Sequence, residues 1–195
     1  MTNQLSFSVA EYYEVDEDGQ EGDDGLLARD IVIAANYYDE DKEELINVGT
    51  VRGKVFNALD YETFDSIASE ADDISGDCGH TMQLPISILK SVYGDECDLI
   101  GAFIYIDEVY IKPEYRRRSF GHETMLRLHD ILCNALRTEV YTIALYAEWF
   151  EIEGNRRVCD RSKPKTKILK KFFENTDFKQ ITRTKVYIQN HLLRL

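Results

Sequence analysis

Apolar and polar residues alternate through the first part of the chain. From Leu5 to Val15 they change places at nearly every step, with aromatics in the apolar set. This period of two predicts a β-strand with one buried face, entering an acidic loop over Asp16–Asp24. The same reading covers Asp30–Tyr38 and, after the acidic turn Asp39–Glu44, Leu45–Phe56. Three such strands joined by short polar stretches predict an antiparallel meander. Between Asp60 and Ser91 the period lengthens to that of a helix. DYETFDSIASEADDI has a candidate cap in Asp60, LPISILKSVYG a candidate stop in Gly94, and SGDCGHT between them has the composition of a loop. Leu99–Ile111 predicts a long fourth strand, and Phe120–Arg137 a helix on which Met125, Leu128, Leu132 and Ala135 form one stripe, joined by Ile131 and Leu136. Val140–Trp149 reads as an apolar, aromatic fifth strand. A basic, irregular stretch leads to a short helix over Lys165–Asn175, and Phe178–Asn190 gives one or two final strands. This order predicts one α/β (α+β) domain over residues 1–195, with a mixed, largely antiparallel central sheet and helices on both faces.

Charge narrows the partners. The formal charge of −13 opposes nonspecific attraction to nucleic acid or an anionic membrane, so neither is expected as a partner. The charge is also polarised: residues 14–24 hold seven carboxylates and no base, whereas residues 156–171 hold eight bases and one acid. No apolar run approaches the roughly 20 residues needed to span a bilayer, and the N-terminal residues lack a signal-peptide pattern. A soluble, cytoplasmic protein is therefore expected. Cys78, Cys97, Cys133 and Cys159 lie far apart, and the histidines complete no zinc-like spacing, so reduced thiols and no metal are expected. Cys78 and His80 have no visible third partner and read as ordinary loop side chains, and His122 and His129 as surface residues of their helix.

The chemistry concentrates in Ile104–Leu132, where an alternating strand meets a proline-marked turn, three consecutive arginines and a helix. Unpaired backbone N–H groups converge at such a helix start and the helix dipole adds positive charge, which favours a bound anion. The residues Val109-Tyr110-Ile111, Lys112-Pro113-Glu114-Tyr115 and Arg116-Arg117-Arg118-Ser119-Phe120-Gly121 resemble the strand, turn and Arg/Gln-x-x-Gly-x-Gly/Ala loop of the GNAT superfamily of acyl-CoA-dependent N-acetyltransferases. A second family-like element is Leu169–Phe178, LKKFFENTDF. Ser119 and Asp177 stand where the family has glycine. The resemblance covers about the C-terminal half, residues 99–190. Residues 1–98 carry no such likeness and form the variable, acceptor-side half.

The resemblance implies acetyl-CoA as co-substrate, with no metal. The backbone of Arg116, Arg117, Arg118, Ser119, Phe120 and Gly121 would cradle its pyrophosphate. One or two of the arginines would face the phosphates, with help from Lys170 or Lys171. Val109, Tyr110 and Ile111 would pair with the pantetheine arm, and the Val109 N–H would donate to the developing oxyanion. Asp107 and Glu108 are alternative general bases. Strict alternation places Asp107 with Tyr105, Val109 and Ile111, and Glu108 with Tyr110. Many family members protonate the leaving thiolate from a tyrosine at the position of Phe173, which carries no such proton; Tyr146 or Tyr110 is the candidate substitute. The implied reaction is direct transfer of an acetyl group to a primary amine in a ternary complex, the amine borne by a small molecule or a protein. The acidic stretches, with Tyr12, Tyr13, Tyr37 and Tyr38 beside them, suit a cationic acceptor. Many such folds also form homodimers. The rival readings are a non-catalytic GNAT-like module that binds coenzyme A and an acidic protein-interaction module.

Overall fold

The computed structural model describes residues 5–12, 27–96, 100–153, 156–160 and 162–191. Residues 14–24, Tyr13 and Cys97 lie outside them, and with them most of the predicted acidic acceptor loop. The alternating stretches form the expected meander of β1 (Leu5–Tyr12), β2 (Arg29–Asp39) and β3 (Glu44–Asn57). Two helices follow, α1 (Phe64–Ile74) and α2 (Gly76–Tyr93). Then come β4 (Ala102–Ile111), α3 (Phe120–Leu136) and β5 (Val140–Tyr146). A separate hairpin, β6 (Trp149–Glu153) with β7 (Arg156–Asp160), precedes α4 (Lys163–Glu174) and the closing strands β8 (Lys179–Gln180) and β9 (Val186–Asn190). The main sheet has the order β1-β2-β3-β4-β5-β9-β8, and only β4 and β5 run parallel.

The predicted mixed, largely antiparallel sheet with helices on both faces is what forms. Alternate residues of each strand supply the two cores. Phe56, Phe103, Tyr105 and Ala144 face α1 and α2, meeting Phe64, Ile67, Met82 and Leu89. Val55, Ile104, Ile106 and Ile143 face the other way, meeting Met125, Leu128 and Leu132 of α3 and Phe173 of α4. Of the α3 stripe, Met125, Leu128 and Leu132 are buried as the spacing predicts, while Ala135, Ile131 and Leu136 are half-buried; full burial of a large apolar side chain contributes roughly 1.5–3 kcal/mol.

Three local predictions fail for identifiable reasons. α1 starts from Thr63, whose hydroxyl accepts the Ser66 N–H, and not from Asp60. SGDCGHT belongs mostly to α2: Ser75 both ends α1 and caps α2, accepting the Cys78 N–H. Gly79 lets the two helices meet at that corner, where an added Cβ would stand 2.5 Å from Asp72 Oδ1. The predicted fifth strand is two elements, because β5 stops at Tyr146 and Trp149 opens the hairpin. Gly94 ends α2 at φ 90°, as the sequence predicts.

Among the described residues, no helix is long and apolar enough to cross a membrane.

Candidate functional site

β4 and β5 pair from Ala102–Val140 to Ile106–Leu145 and no further. β4 runs on to Ile111 while the chain after Tyr146 turns away into the hairpin, so the sheet splits. A cavity of about 650 Å³ opens at the split. Its walls are the end of β4, the arginine loop, the first turn of α3, the end of β5, the hairpin and α4.

The loop has the geometry of an anion cradle. Arg117 and Ser119 both sit in the left-handed region, at φ 62° and 66°. A backbone that enters and leaves this region turns successive N–H groups toward one side. Ser119 is the N-cap of α3 but caps nothing with its side chain, so the first-turn N–H groups gain no acceptor from it. Asp177, the other residue at a family glycine position, is also left-handed, at φ 61°. Both positions keep the glycine-type backbone without the glycine, a strain of roughly 1–2 kcal/mol each. Gly121 lies against β4 and α4: a Cβ there would be 3.2 Å from Ile111 Cγ1 and 3.7 Å from the Phe172 ring.

The three arginines have separate surroundings. Arg116 Nε donates to the Ile111 carbonyl at 2.9 Å, and its Nη1 pairs with Glu151 at 2.8 Å. Its guanidinium is thus held by protein groups. Arg117 lines the cavity beside Ser119, Phe120 and Gly121. Arg118 lies over the Tyr115 ring, 5.7 Å from its centroid.

Strict alternation does not hold at the candidate bases. β4 pairs Ile106 with Gly53 and Glu108 with Arg52, leaving Asp107 as an extra residue in a β-bulge. The bulge exchanges the faces beyond it. Val109, paired with Val51, joins the α3 side with Ile104 and Ile106. Glu108 and Tyr110 therefore share the α1–α2 side with Tyr105, and Asp107 no longer shares a face with Val109 and Ile111. Asp107 is exposed at the bulge, accepting a long 3.5 Å bond from the Tyr105 hydroxyl. Burial first, and then the Asp107 charge, raise the pKa of the Tyr105 phenol and keep it protonated.

Asp107, Glu108, Val109, Tyr110, Ile111, Tyr146 and Phe173 all line the cavity. The side of Tyr146 packs against the α1–α2 core, and its ring meets His80 edge-on at 6.5 Å. Phe173 is buried, 5.1 Å from the Tyr187 ring and 6.0 Å from Phe178. Cys78 is buried and its thiol is pushed up to about 12 by that burial, which disqualifies it as a nucleophile. His129 is not a free surface residue: its ring stacks on His191 at 3.5 Å. His122 meets the Asn175 carbonyl at 2.9 Å.

The β6–β7 hairpin is the part of the site that the sequence reading missed. It lies over the cleft: Phe150 stacks on Tyr110 with centroids 6.2 Å apart, and Glu151 holds Arg116. Trp149 donates its indole N–H to Glu151 at 3.1 Å and carries the Lys165 ammonium 4.0 Å from its ring. The available signal was the dipeptide Gly154-Asn155 between two five-residue runs.

Burial works against ionisation of Glu151, but hydrogen bonds from Arg116 and Trp149 outweigh it and hold its carboxyl below the ordinary 4.5. A depressed folded-state value stabilises the fold above the ordinary value, and that contribution is lost as pH falls through the folded one. Trp149 is the sole tryptophan, so its emission reports the hairpin. Acid titration is expected to give a red-shift with a midpoint below 4.5, and Glu151→Gln should lack that step. The same midpoint in both proteins would show that Glu151 does not hold the hairpin.

In the second acidic stretch Asp39 is structural, while Glu40, Asp41, Glu43 and Glu44 stay exposed. Asp39 accepts the backbone N–H groups of Asp41 and Lys42 and so closes the β2–β3 turn. Tyr37 stacks on Phe120 at 5.5 Å, leaving Tyr38 as the exposed aromatic there.

No family model matches the chain, and no curated protein matches its sequence. Solved structures do resemble it. A KacTA–DNA complex is similar at 10% identity and TM-score 0.43, over 95% of this chain and 92% of that one. AtaT complexed with acetyl-methionyl-tRNAfMet is similar at 8% identity and TM-score 0.40, over 96% and 95%. NAA60 of Arabidopsis thaliana with a bisubstrate analogue is similar at 13% identity and TM-score 0.37, over 93% and 96%. Two of these structures hold nucleic acid, which overturns the expectation that nucleic acid is excluded as a partner. The physical fault lay in reasoning from the summed charge of −13, since local charge governs contact. α4 exposes Lys163, Lys167, Lys170 and Lys171.

Proposed function

We propose that this protein is an acetyl-CoA-dependent N-acetyltransferase of the GNAT superfamily that acts on a primary amine by direct attack in a ternary complex. One observation carries the reading: the left-handed loop and uncapped α3 start open onto the same cavity as the split between β4 and β5. A long ligand with phosphates at one end and a narrow arm fits that arrangement. The backbone from Arg117 to Gly121 would receive the phosphates, Arg117 would add charge, and the β4 backbone over Val109–Ile111 would hold the arm.

The bound thioester supplies the acetyl group. The chain must place a neutral amine beside it, accept the amine proton and donate to the developing oxyanion. In this reading the Val109 N–H is the oxyanion donor, and Asp107 and Glu108 remain the two candidate bases. Tyr146 or Tyr110 would protonate the departing thiolate, since Phe173 has no proton to give. A thiol with a reference pKa of about 8.5 leaves tolerably near neutral pH even unaided.

Acetyl-CoA is expected to raise the melting temperature, and mixing with an amine panel should release free thiol. No shift at saturating acetyl-CoA would sink the proposal. A shift without turnover across small amines, peptides and aminoacylated RNA would favour the non-catalytic coenzyme A module.

The exposed α4 lysines favour a second reading, in which the accepting amine is borne by nucleic acid. It requires RNA binding that weakens steeply as salt rises. Salt-independent binding, or none at low salt, rejects it.

A further inference from the structure

Beside the candidate bases, the cleft contains a cation that the chain itself provides. Arg157 of β7 lies with its guanidinium carbon 4.4 Å from the centre of the Phe150 ring. Its Nη1 is 3.5 Å from Asp107 Oδ1 and donates to the Asp107 carbonyl at 3.4 Å. All three residues line the cavity. We infer that the Phe150 face and the Asp107 carboxylate form a cation subsite for the acceptor, and that Arg157 fills this subsite until the acceptor displaces it.

The subsite has the two components that recognise an organic cation: an aromatic face and a carboxylate. The aromatic half is fixed in place, because Phe150 stacks on Tyr110 and its neighbour Glu151 is tied to Arg116. The carboxylate half is fixed by the bulge, which puts Asp107 out of register with β3. Arg157 is the loosely held member. Its contacts with Asp107 are long, the Asp107 side chain is 55% exposed, and an exposed ion pair of that kind contributes little. A soluble cation bringing the same chemistry therefore meets a small barrier to exchange.

The position defines a substrate class. With Asp107 holding this cation, Glu108 is left to take the proton of the reacting amine, so an acceptor would carry a second cationic group besides the amine that reacts. A diamine or an amino-guanidine meets that description, and a monoamine of similar length does not. This refinement rests on the acetyltransferase reading for the fate of the amine, but not for the existence of the subsite.

The test uses the full chain, with 1,4-diaminobutane and the uncharged 1,4-butanediol as probes. Calorimetric titration without acetyl-CoA should show 1,4-diaminobutane binding about five- to tenfold more tightly to Arg157→Ala than to the parent, the scale of one cation–aromatic contact. Arg157→Gln should behave like Arg157→Ala, Arg157→Lys like the parent, and 1,4-butanediol should be indifferent to all three. Adding Phe150→Leu to Arg157→Ala should remove the gain. An equal gain for both probes, no gain in either Arg157→Ala or Arg157→Gln, or no binding of 1,4-diaminobutane to any variant overturns the inference. Acetyl-CoA stabilisation, measured in parallel, separates the two claims. If it persists while the diamine gain is missing, only the subsite fails. If it is absent while the gain is seen, the subsite stands and the acetyltransferase reading fails.

Discussion

Gly53→Ala is expected to lower the free energy of unfolding by about 3 kcal/mol, the upper end of the usual range for overpacking. Gly53 sits on β3 opposite the bulge, where a Cβ would stand 2.1 Å from the Tyr105 carbonyl oxygen and 3.2 Å from Ile106 Cα. These are backbone atoms of the central strand pair, and no rotamer change moves them aside. Relief requires β3 and β4 to separate or the bulge to move, and either disturbs the position of Asp107. Urea denaturation reads the loss directly. Gly76→Ala is the control, since nothing lies within 4 Å of its added Cβ. Equal midpoints for Gly53→Ala and the parent would mean that the bulge does not depend on this close approach.

Gly121→Trp is expected to abolish the acetyl-CoA-induced rise in melting temperature, with affinity falling by roughly a hundredfold, or about 2.7 kcal/mol. The first-turn residue of α3 lines the cavity between Ile111 and Phe172, where a Cβ already meets Ile111 Cγ1 at 3.2 Å, so an indole has only the cavity to enter. The indole would fill the space in front of the N–H groups offered by the loop. Far-UV circular dichroism and an unchanged urea midpoint must accompany the loss, so that it reports the site and not the fold. A folded Gly121→Trp protein that acetyl-CoA still stabilises would move the cofactor away from this loop.

What the sequence made legible follows from interactions local enough to leave a period. The β1–β3 meander shows in its alternation, the buried face of α3 in Met125, Leu128 and Leu132, and the end of α2 in Gly94. The bulge at Asp107 is a relation between two strands, and β4 itself contains no glycine or proline to mark it; its trace is Gly53, on the other strand. The hairpin was hidden because the apolar residues of β5 continue into Trp149 and Phe150 with only Glu148 between them. The fate of Arg116 depended on Glu151, 35 residues away, and on a hairpin that had not been recognised. Three adjacent arginines look equivalent in a sequence. In the fold, one braces the hairpin, one lines the cavity and one covers a tyrosine ring.

The position of β9 also bears on the order in which the molecule assembles. β1, β2 and β3 are joined through near neighbours, and such local contacts form early. β5 waits much longer for one of its partners: residues 142–146 pair with residues 186–190. During synthesis the meander has its strands well before β5 has β9, and for that interval β5 presents an open, strongly apolar edge. The edge closes only after the hairpin and α4 have been made, so the cleft is among the last parts of the protein to consolidate. A nascent chain halted before residue 186 is therefore the form most exposed to strand-to-strand aggregation.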